Sequence, residues 1–171
     1  MPIVARALVV VNRLHRNAAM QILITGGAGF IGSHVADRLL EEGHRVRALD
    51  LLTEQVHGSD ATRPDYLRQD IELIRGDVRD RATVDRVLDG VDAVFHFAAA
   101  VGVGQSMYEV EAYTSTNNLG TAVLLEALIE HPVQRLVVAS SMSIYGEGMY
   151  RTGAGALVHA CERSLEQRTR T

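Results

Sequence analysis

From Gln21 to Ala139 the chain alternates short β-branched runs with longer helical patterns. Gln21 to Thr25 is a compact apolar run, the pattern of a strand buried on both faces. Ile31, Val35 and Leu39 then recur at every fourth position, which predicts an apolar helical stripe ending near Gly43. Arg45 to Asp50 and Ile71 to Arg75 read as the second and third strands. A helix over Ala82 to Leu88, capped by Asp80 and closed by Gly90, precedes a fourth strand over Ala93 to Ala98. Leu119 to Glu130 carries Val123, Leu124, Ala127 and Leu128 on one side and is stopped by Pro132. Arg135 to Ala139 reads as the fifth strand.

Strands alternating with helices imply right-handed βαβ crossovers, and hence an α/β fold with a doubly wound parallel sheet of the Rossmann type. Ligands of such sheets bind beyond the carboxyl ends of the strands, where the winding switches direction. The chemistry is therefore expected just after Thr25, Asp50, Arg75, Phe97 and Ala139.

The ends differ from this core. Residues 1–19 hold an apolar stretch, Ala7 to Val11, that is short for a signal peptide and is followed by Leu14-His15-Arg16; they read as an extension. Residues 20–150 form the expected nucleotide-binding domain, and 151–171 an irregular tail whose pattern allows one short helix through Leu157, Cys161 and Leu165.

Composition narrows the chemistry. The 171 residues carry a net charge of −4, which argues against nucleic acid as a partner. The chain has no apolar run of membrane-spanning length. A single cysteine, Cys161, fits a reducing compartment, so a cytoplasmic location is expected. The seven histidines are scattered without metal-ligand spacing, and no metal site is expected. All 17 basic residues are arginine, so no mechanism can use a lysine amine.

Thr25-Gly26-Gly27-Ala28-Gly29-Phe30-Ile31-Gly32 joins the first strand to the first helix. Gly26, Gly29 and Gly32 give a tight turn, close approach to a pyrophosphate, and close packing of helix on strand. The helix end at Phe30 and Ile31 then offers unpaired N–H groups to phosphates. Asp50, with Leu51 beside it, ends the second strand at the spacing expected of a ribose-binding acid, and its charge would repel a 2′-phosphate. The pattern therefore predicts NAD rather than NADP. A P-loop is excluded because Ser33 stands where its lysine would be. Asp77 and Val78 could hold the adenine, or Asp77 could simply cap the next helix; Ala98, Ala99 and Ala100 would let a dinucleotide lie close to backbone, or serve packing alone.

These motifs resemble the extended short-chain dehydrogenase/reductases, the NAD-dependent epimerase/dehydratase family. The matching segments are TGGAGFIGSH at 25–34, Asp50, GDVRD at 76–80, HFAAAVGVGQS at 96–106, NNLGT at 117–121 and SSMSIYG at 140–146. The stretches from Ala98 to Glu130 and from Val137 to Tyr150 resemble most the branch that epimerises dTDP-L-rhamnose at C4. The resemblance implies a nucleotide-sugar substrate, bound NAD, and C4 epimerisation through a 4-keto sugar, with a 4,6-dehydratase as the alternative. It also implies that Ser141, or Ser143 nearby, holds the substrate oxygen, that Ser140 and Asn117 lie by the cofactor, and that the parent is a homodimer.

One departure is large. The family's catalytic tyrosine is followed four residues later by a lysine, whereas the five tyrosines here, Tyr66, Tyr108, Tyr113, Tyr145 and Tyr150, are followed by Asp70, Ala112, Asn117, Met149 and Ala154. The expectation is therefore a truncated front part of an epimerase, lacking the substrate-binding lobe, inactive alone, and aggregation-prone through the exposed side of its 106–130 helix. The alternative is a stand-alone NAD-holding module.

Overall fold

A computed structural model of the chain describes residues 18–59, 62–141, 144 and 149–159. The chain divides into two units, Met1–Val138 and Ala139–Thr171.

The first unit is built on five parallel strands: β1 (Gln21–Thr25), β2 (Arg45–Asp50), β3 (Glu72–Arg75), β4 (Ala93–His96) and β5 (Arg135–Val138). Their order is β3-β2-β1-β4-β5. The winding thus runs outward from β1 through β2 to β3, returns to the other side of β1 at β4, and ends at β5. Thr25 is in register with Leu49 of β2 and His96 of β4, so three strand ends converge at the switch point.

The side-chain alternation of β1 sets two cores. Ile22 and Ile24 pack on one face with Ala36, Leu39, Val46, Ala48 and Phe95. Leu23 packs on the other with Leu49, Val84, Val87, Val94, Leu124 and Ala127. A strand covered on both faces needs apolar residues at successive positions, which explains the unbroken Ile22-Leu23-Ile24 run.

Helix α1 (Phe30–Glu41) buries Gly32, Ser33, Ala36 and Leu39. The expected stripe began at Ile31, but Ile31 is 62% exposed. The buried face of α1 runs through Gly32, Ser33, Ala36 and Leu39, and Ile31 lies well to one side of it. After α2 (Glu54–His57), helix α3 (Arg81–Leu88) starts as expected: Asp80 accepts from the Ala82 amide at 3.3 Å and from the Thr83 hydroxyl at 2.5 Å. Strand β4 stops at His96, two residues before the expected end, and short α4 (Val103–Ser106) follows. The helix read from Leu119 begins earlier. Helix α5 (Val110–Thr114) runs through a π-helical turn, Ser115–Leu119, into α6 (Gly120–Glu130). A Cβ at Gly120 would come 2.6 Å from Val78 Cγ1, so glycine is what lets this helix lie against the β3 exit. Among the described residues no helix is long and apolar enough to cross a membrane.

In the second unit, β6 (Met149–Arg151) pairs antiparallel with β7 (Leu157–His159). The short helix expected through Leu157 is thus replaced by a hairpin, whose turn has Gly155 at φ +83°. Cys161, Leu165, Ser143 and Tyr145 lie outside the described residues, as do residues 1–17.

Two outcomes follow from this packing. Leu23→Ala, at a fully buried position between β2 and β4, is expected to cost about 2–5 kcal/mol in urea unfolding, whereas Ile129→Ala, 81% exposed, stays within about 0.5 kcal/mol. The second concerns His96, which is 4% exposed and whose burial holds its pKa below the ordinary 6.5. The unfolded chain therefore binds the extra proton as pH falls below about 6.5, and the fold does not until lower pH. Stability from this group is complete above pH 6.5 and declines below it, by at most about 1.4 kcal/mol per pH unit. Urea midpoints measured from pH 7.5 downward are expected to show a slope that His96→Gln reduces; equal slopes would contradict it.

Candidate functional site

The exit of β1 is a glycine turn held tightly to its neighbours. The Gly26 amide donates to Leu49 O at 2.8 Å, and the Gly29 amide to Gly26 O at 3.2 Å. Gly26 has φ +70°, and a Cβ there would meet the Ala98 amide nitrogen at 2.8 Å. A Cβ at Gly32 would lie 2.2 Å from Gly26 O, which makes the packing of helix on turn possible only for glycine. At Gly29 the sole near neighbour of a Cβ would be Gly26 O at 3.3 Å, so its other side is open.

Helix α1 starts from this turn without a side-chain cap and without an acid in its first turn. Its first amide bond runs from Ser33 N to Gly29 O, at 2.9 Å. The N–H groups of Phe30, Ile31 and Gly32 therefore have no intrahelical acceptor, and the positive end of the helix dipole lies with them. That is an anion-binding arrangement: donors and field point the same way.

Asp50 fixes the turn from the β2 side. Its Oδ2 accepts from the Ala28 amide at 3.0 Å, and its Oδ1 from the Leu52 amide at 2.9 Å. Leu52 takes φ +53°, an uncommon value for a branched side chain, in completing that hook. One lone pair on each oxygen remains for other donors. Two neighbours had no signal in the sequence. Tyr66 donates its hydroxyl to Ala28 O at 2.7 Å, and its phenol is pushed up by burial and then by the Asp50 charge. His57 brings Nε2 to 3.7 Å from Asp50 Oδ1. Both come from the β2–β3 connection, which lies against the turn. Leu51 is exposed beside them.

At the β3 exit the structure is more committed than expected. The Asp77 carboxylate accepts from the Arg79 amide at 2.8 Å and pairs with its guanidinium at 2.6 Å, and Arg79 holds the carboxyl below its usual range. Arg79 also donates to Ser115 Oγ at 3.0 Å. Val78, 5% exposed, packs in the core beneath Gly120. Neither side chain stands free, so an adenine would meet an arginine-bound carboxylate there.

At the β4 exit, Ala98 donates its amide to Thr25 Oγ1 at 3.2 Å, and Ala99 is exposed. Ala100 is clamped on both sides of its backbone by Asn117, whose Oδ1 accepts from the Ala100 amide at 2.8 Å and whose Nδ2 donates to the Ala100 carbonyl at 3.0 Å. Asn117 thus holds the small-residue loop with its whole amide. His96 bridges Thr25 Oγ1, 2.7 Å from Nδ1, and Thr121 Oγ1, 2.9 Å from Nε2. Ser140 and Ser141 belong to the second unit, where both are exposed.

The first unit therefore gathers Gly26, Gly29, Phe30, Ile31, Gly32, Asp50 and Ala98–Ala100 around one strand end. The open face of Gly29, the uncapped amides of α1 and the remaining lone pairs of Asp50 match a diphosphate followed by a ribose diol. The residues present fit a dinucleotide.

Known proteins resemble this chain in sequence and fold. Residues 22–157 match the family described as the NAD dependent epimerase/dehydratase family. The chain is 35% identical to dTDP-L-rhamnose 4-epimerase of Burkholderia thailandensis over 151 residues, covering 86% of this chain and 41% of that protein. It is 38% identical to UDP-glucose 4-epimerase of Halalkalibacterium halodurans over 130 residues, 75% of this chain and 36% of the relative. UDP-glucose 4-epimerase from Brucella ovis, crystallised in complex with NAD, superposes with a TM-score of 0.66 at 32% identity, over 76% of this chain and 38% of its own. The chain thus spans about two fifths of the length of these relatives. By its matched segment, its sheet and its glycine turn, it belongs to the NAD-dependent epimerase/dehydratase family.

Proposed function

We propose that this chain is the NAD-binding part of a nucleotide-sugar 4-epimerase and holds NAD at the end of β1. The observation that carries the reading is the Asp50 carboxylate, bonded at 3.0 Å to the glycine turn beside the uncapped start of α1. In that reading the Phe30, Ile31 and Gly32 amides bind the diphosphate, and Asp50 accepts from the adenosine ribose hydroxyls. The alanines at 98–100 line the path toward the nicotinamide, and Asn117 keeps that wall in place. Asp77, with Arg79, borders the adenine. NAD bound there would supply a hydride acceptor for C4 of a sugar.

The substrate class follows the relatives: two of them are named as 4-epimerases of nucleotide sugars, and the dTDP-L-rhamnose enzyme aligns with the larger share of this chain. Ser141 is the proposed partner of the sugar oxygen. The lack of any lysine in the chain favours binding without turnover by these residues alone, and also supports a second reading as an NAD-holding module.

Titration calorimetry tests the cofactor. Near a surface, like unit charges about 5 Å apart repel by about 3 kcal/mol at an effective dielectric of about 20, so NADP is expected to bind at least about tenfold more weakly than NAD. Asp50→Asn turns an acceptor into a donor facing an amide; NAD affinity is expected to fall by about tenfold or more. Equal affinity for NADP, or an unaffected Asp50→Asn variant, would contradict the assignment.

Turnover is tested separately, by incubating the chain with NAD and UDP-glucose or dTDP-L-rhamnose and following the C4 epimer by proton NMR. No product is expected, and measurable epimerisation would overturn this part of the proposal. The helix from Val110 to Glu130 leaves Val110, Leu119, Leu125 and Ile129 exposed, which supports self-association of the isolated chain. Light scattering is expected to show species larger than a monomer; a clean monomer at tens of micromolar would count against it.

A further inference from the structure

The hydrogen bonds around His96 have a fixed direction, because the protons available can be counted. The Thr121 hydroxyl has one proton. Its oxygen lies 2.6 Å from the Asn117 carbonyl oxygen, which is only an acceptor, so the proton goes there. Toward His96 Nε2, at 2.9 Å, Thr121 Oγ1 is then an acceptor, and Nε2 must carry a hydrogen. On the other side of the ring, Thr25 Oγ1 accepts from the Ala98 amide at 3.2 Å and lies 2.7 Å from Nδ1. Thr25 is fully buried, and Nδ1 accepts its hydroxyl proton only if the ring is neutral. A ring protonated at both nitrogens would make Thr25 Oγ1 accept from both Nδ1 and Ala98, and the buried hydroxyl would lose Nδ1 as the acceptor of its own proton. The burial of His96 favours the same neutral form.

The bonds therefore run as one directed chain, from the Ala98 amide to Thr25 and Nδ1, and from Nε2 to Thr121 and the Asn117 carbonyl. The chain ends on a residue with a second task. Asn117 sits in the π-helical turn, in which the Gly120 amide reaches back to Ser115 O. Its side chain is the clamp on Ala100. Without the Thr121 hydroxyl nothing in this chain of bonds would tie the wide turn to the end of β1.

We propose that His96, as the neutral Nε2-protonated tautomer, is a positioning residue for the dinucleotide groove: through Thr121 it fixes Asn117, and through Asn117 the Ala98–Ala100 wall. It touches neither cofactor nor substrate. The proposal rests on the reading of the groove as an NAD site, so its test has one arm that needs no NAD.

In the ligand-free arm, ring-nitrogen NMR at neutral pH, with the His96 signals assigned by their loss in His96→Gln, is expected to show a protonated Nε2 and an accepting Nδ1. A protonated Nδ1 overturns the proposal. In the same protein, Thr121→Val is expected to speed hydrogen exchange of the Ala100 amide at least several-fold, and Thr121→Ser, which keeps the hydroxyl, to leave it near the wild-type rate. Equal exchange in all three also overturns it.

In the binding arm, Thr121→Val is expected to weaken NAD about fivefold, the size of one lost hydrogen bond, with Thr121→Ser restoring it. Thr25→Val combined with Thr121→Val is expected to cost less than the product of the single effects, because both break one chain. Multiplying effects mean independent packing and sink the proposal. Absence of NAD binding by the unmodified chain would instead bring down the reading of the groove, and the positioning role with it, while the tautomer and exchange results would show whether the bonds themselves exist.

Discussion

The structure turns on the bond between the Asp50 carboxylate and the glycine turn. A turn with Gly26, Gly27 and Gly29 in four residues has a large conformational entropy to lose, and nothing in its own side chains restrains it. The restraint comes from the neighbouring strand, where the Asp50 oxygens take the Ala28 and Leu52 amides and Leu49 O takes the Gly26 amide. Parallel register between β1 and β2 brings these groups to one level. The same carboxylate that orders the turn keeps one lone pair on each oxygen, and in the proposed reading these accept from a ribose, so structural and binding roles share one side chain.

The opposite wall is ordered by a different device. The loop after β4 has small side chains and little packing of its own. Its backbone is held instead by Asn117, which is presented by a helix with a local π-helical turn. Such a turn interrupts regular helical bonding, is rare, and is frequently found at functional sites. Here it sets an amide side chain against a loop backbone, and the buried Thr25–His96–Thr121 bonds connect this wall to the turn on the other side. The two walls are thus ordered from a common point, the carboxyl ends of β1 and β4.

Much of this was legible in the sequence because it is periodic or locally spaced. The buried β1 run, the helical repeats, the Asp80 cap and the interval from the glycine turn to Asp50 are all short-range signals. What the sequence did not disclose depends on contacts distant along the chain. Arg79 on Asp77 looks like an ordinary charged neighbour until the pair closes, and Tyr66 and His57 sit in a connection without periodicity. The π-helical turn leaves no compositional mark. Ile31 fits the helical repeat yet is exposed, since the face that packs runs through Gly32, Ser33 and Ala36, residues too small or polar to mark an apolar stripe. The pattern allows a short helix through Leu157, Cys161 and Leu165, but Leu157 lies in a three-residue strand that pairs across Gly155 instead.

The relatives extend well beyond the segment this chain shares with them, and their names agree on chemistry at C4 of a nucleotide sugar. In the proposed reading the present residues provide the cofactor end of that chemistry. The most direct measurement is a proton–nitrogen NMR titration of the chain with NAD. The largest amide shifts are expected at Gly29 to Gly32, at Asp50 to Leu52 and at Ala98 to Ala100, saturating together. Shifts that avoid the start of α1, or that fail to saturate there, would contradict the proposed reading.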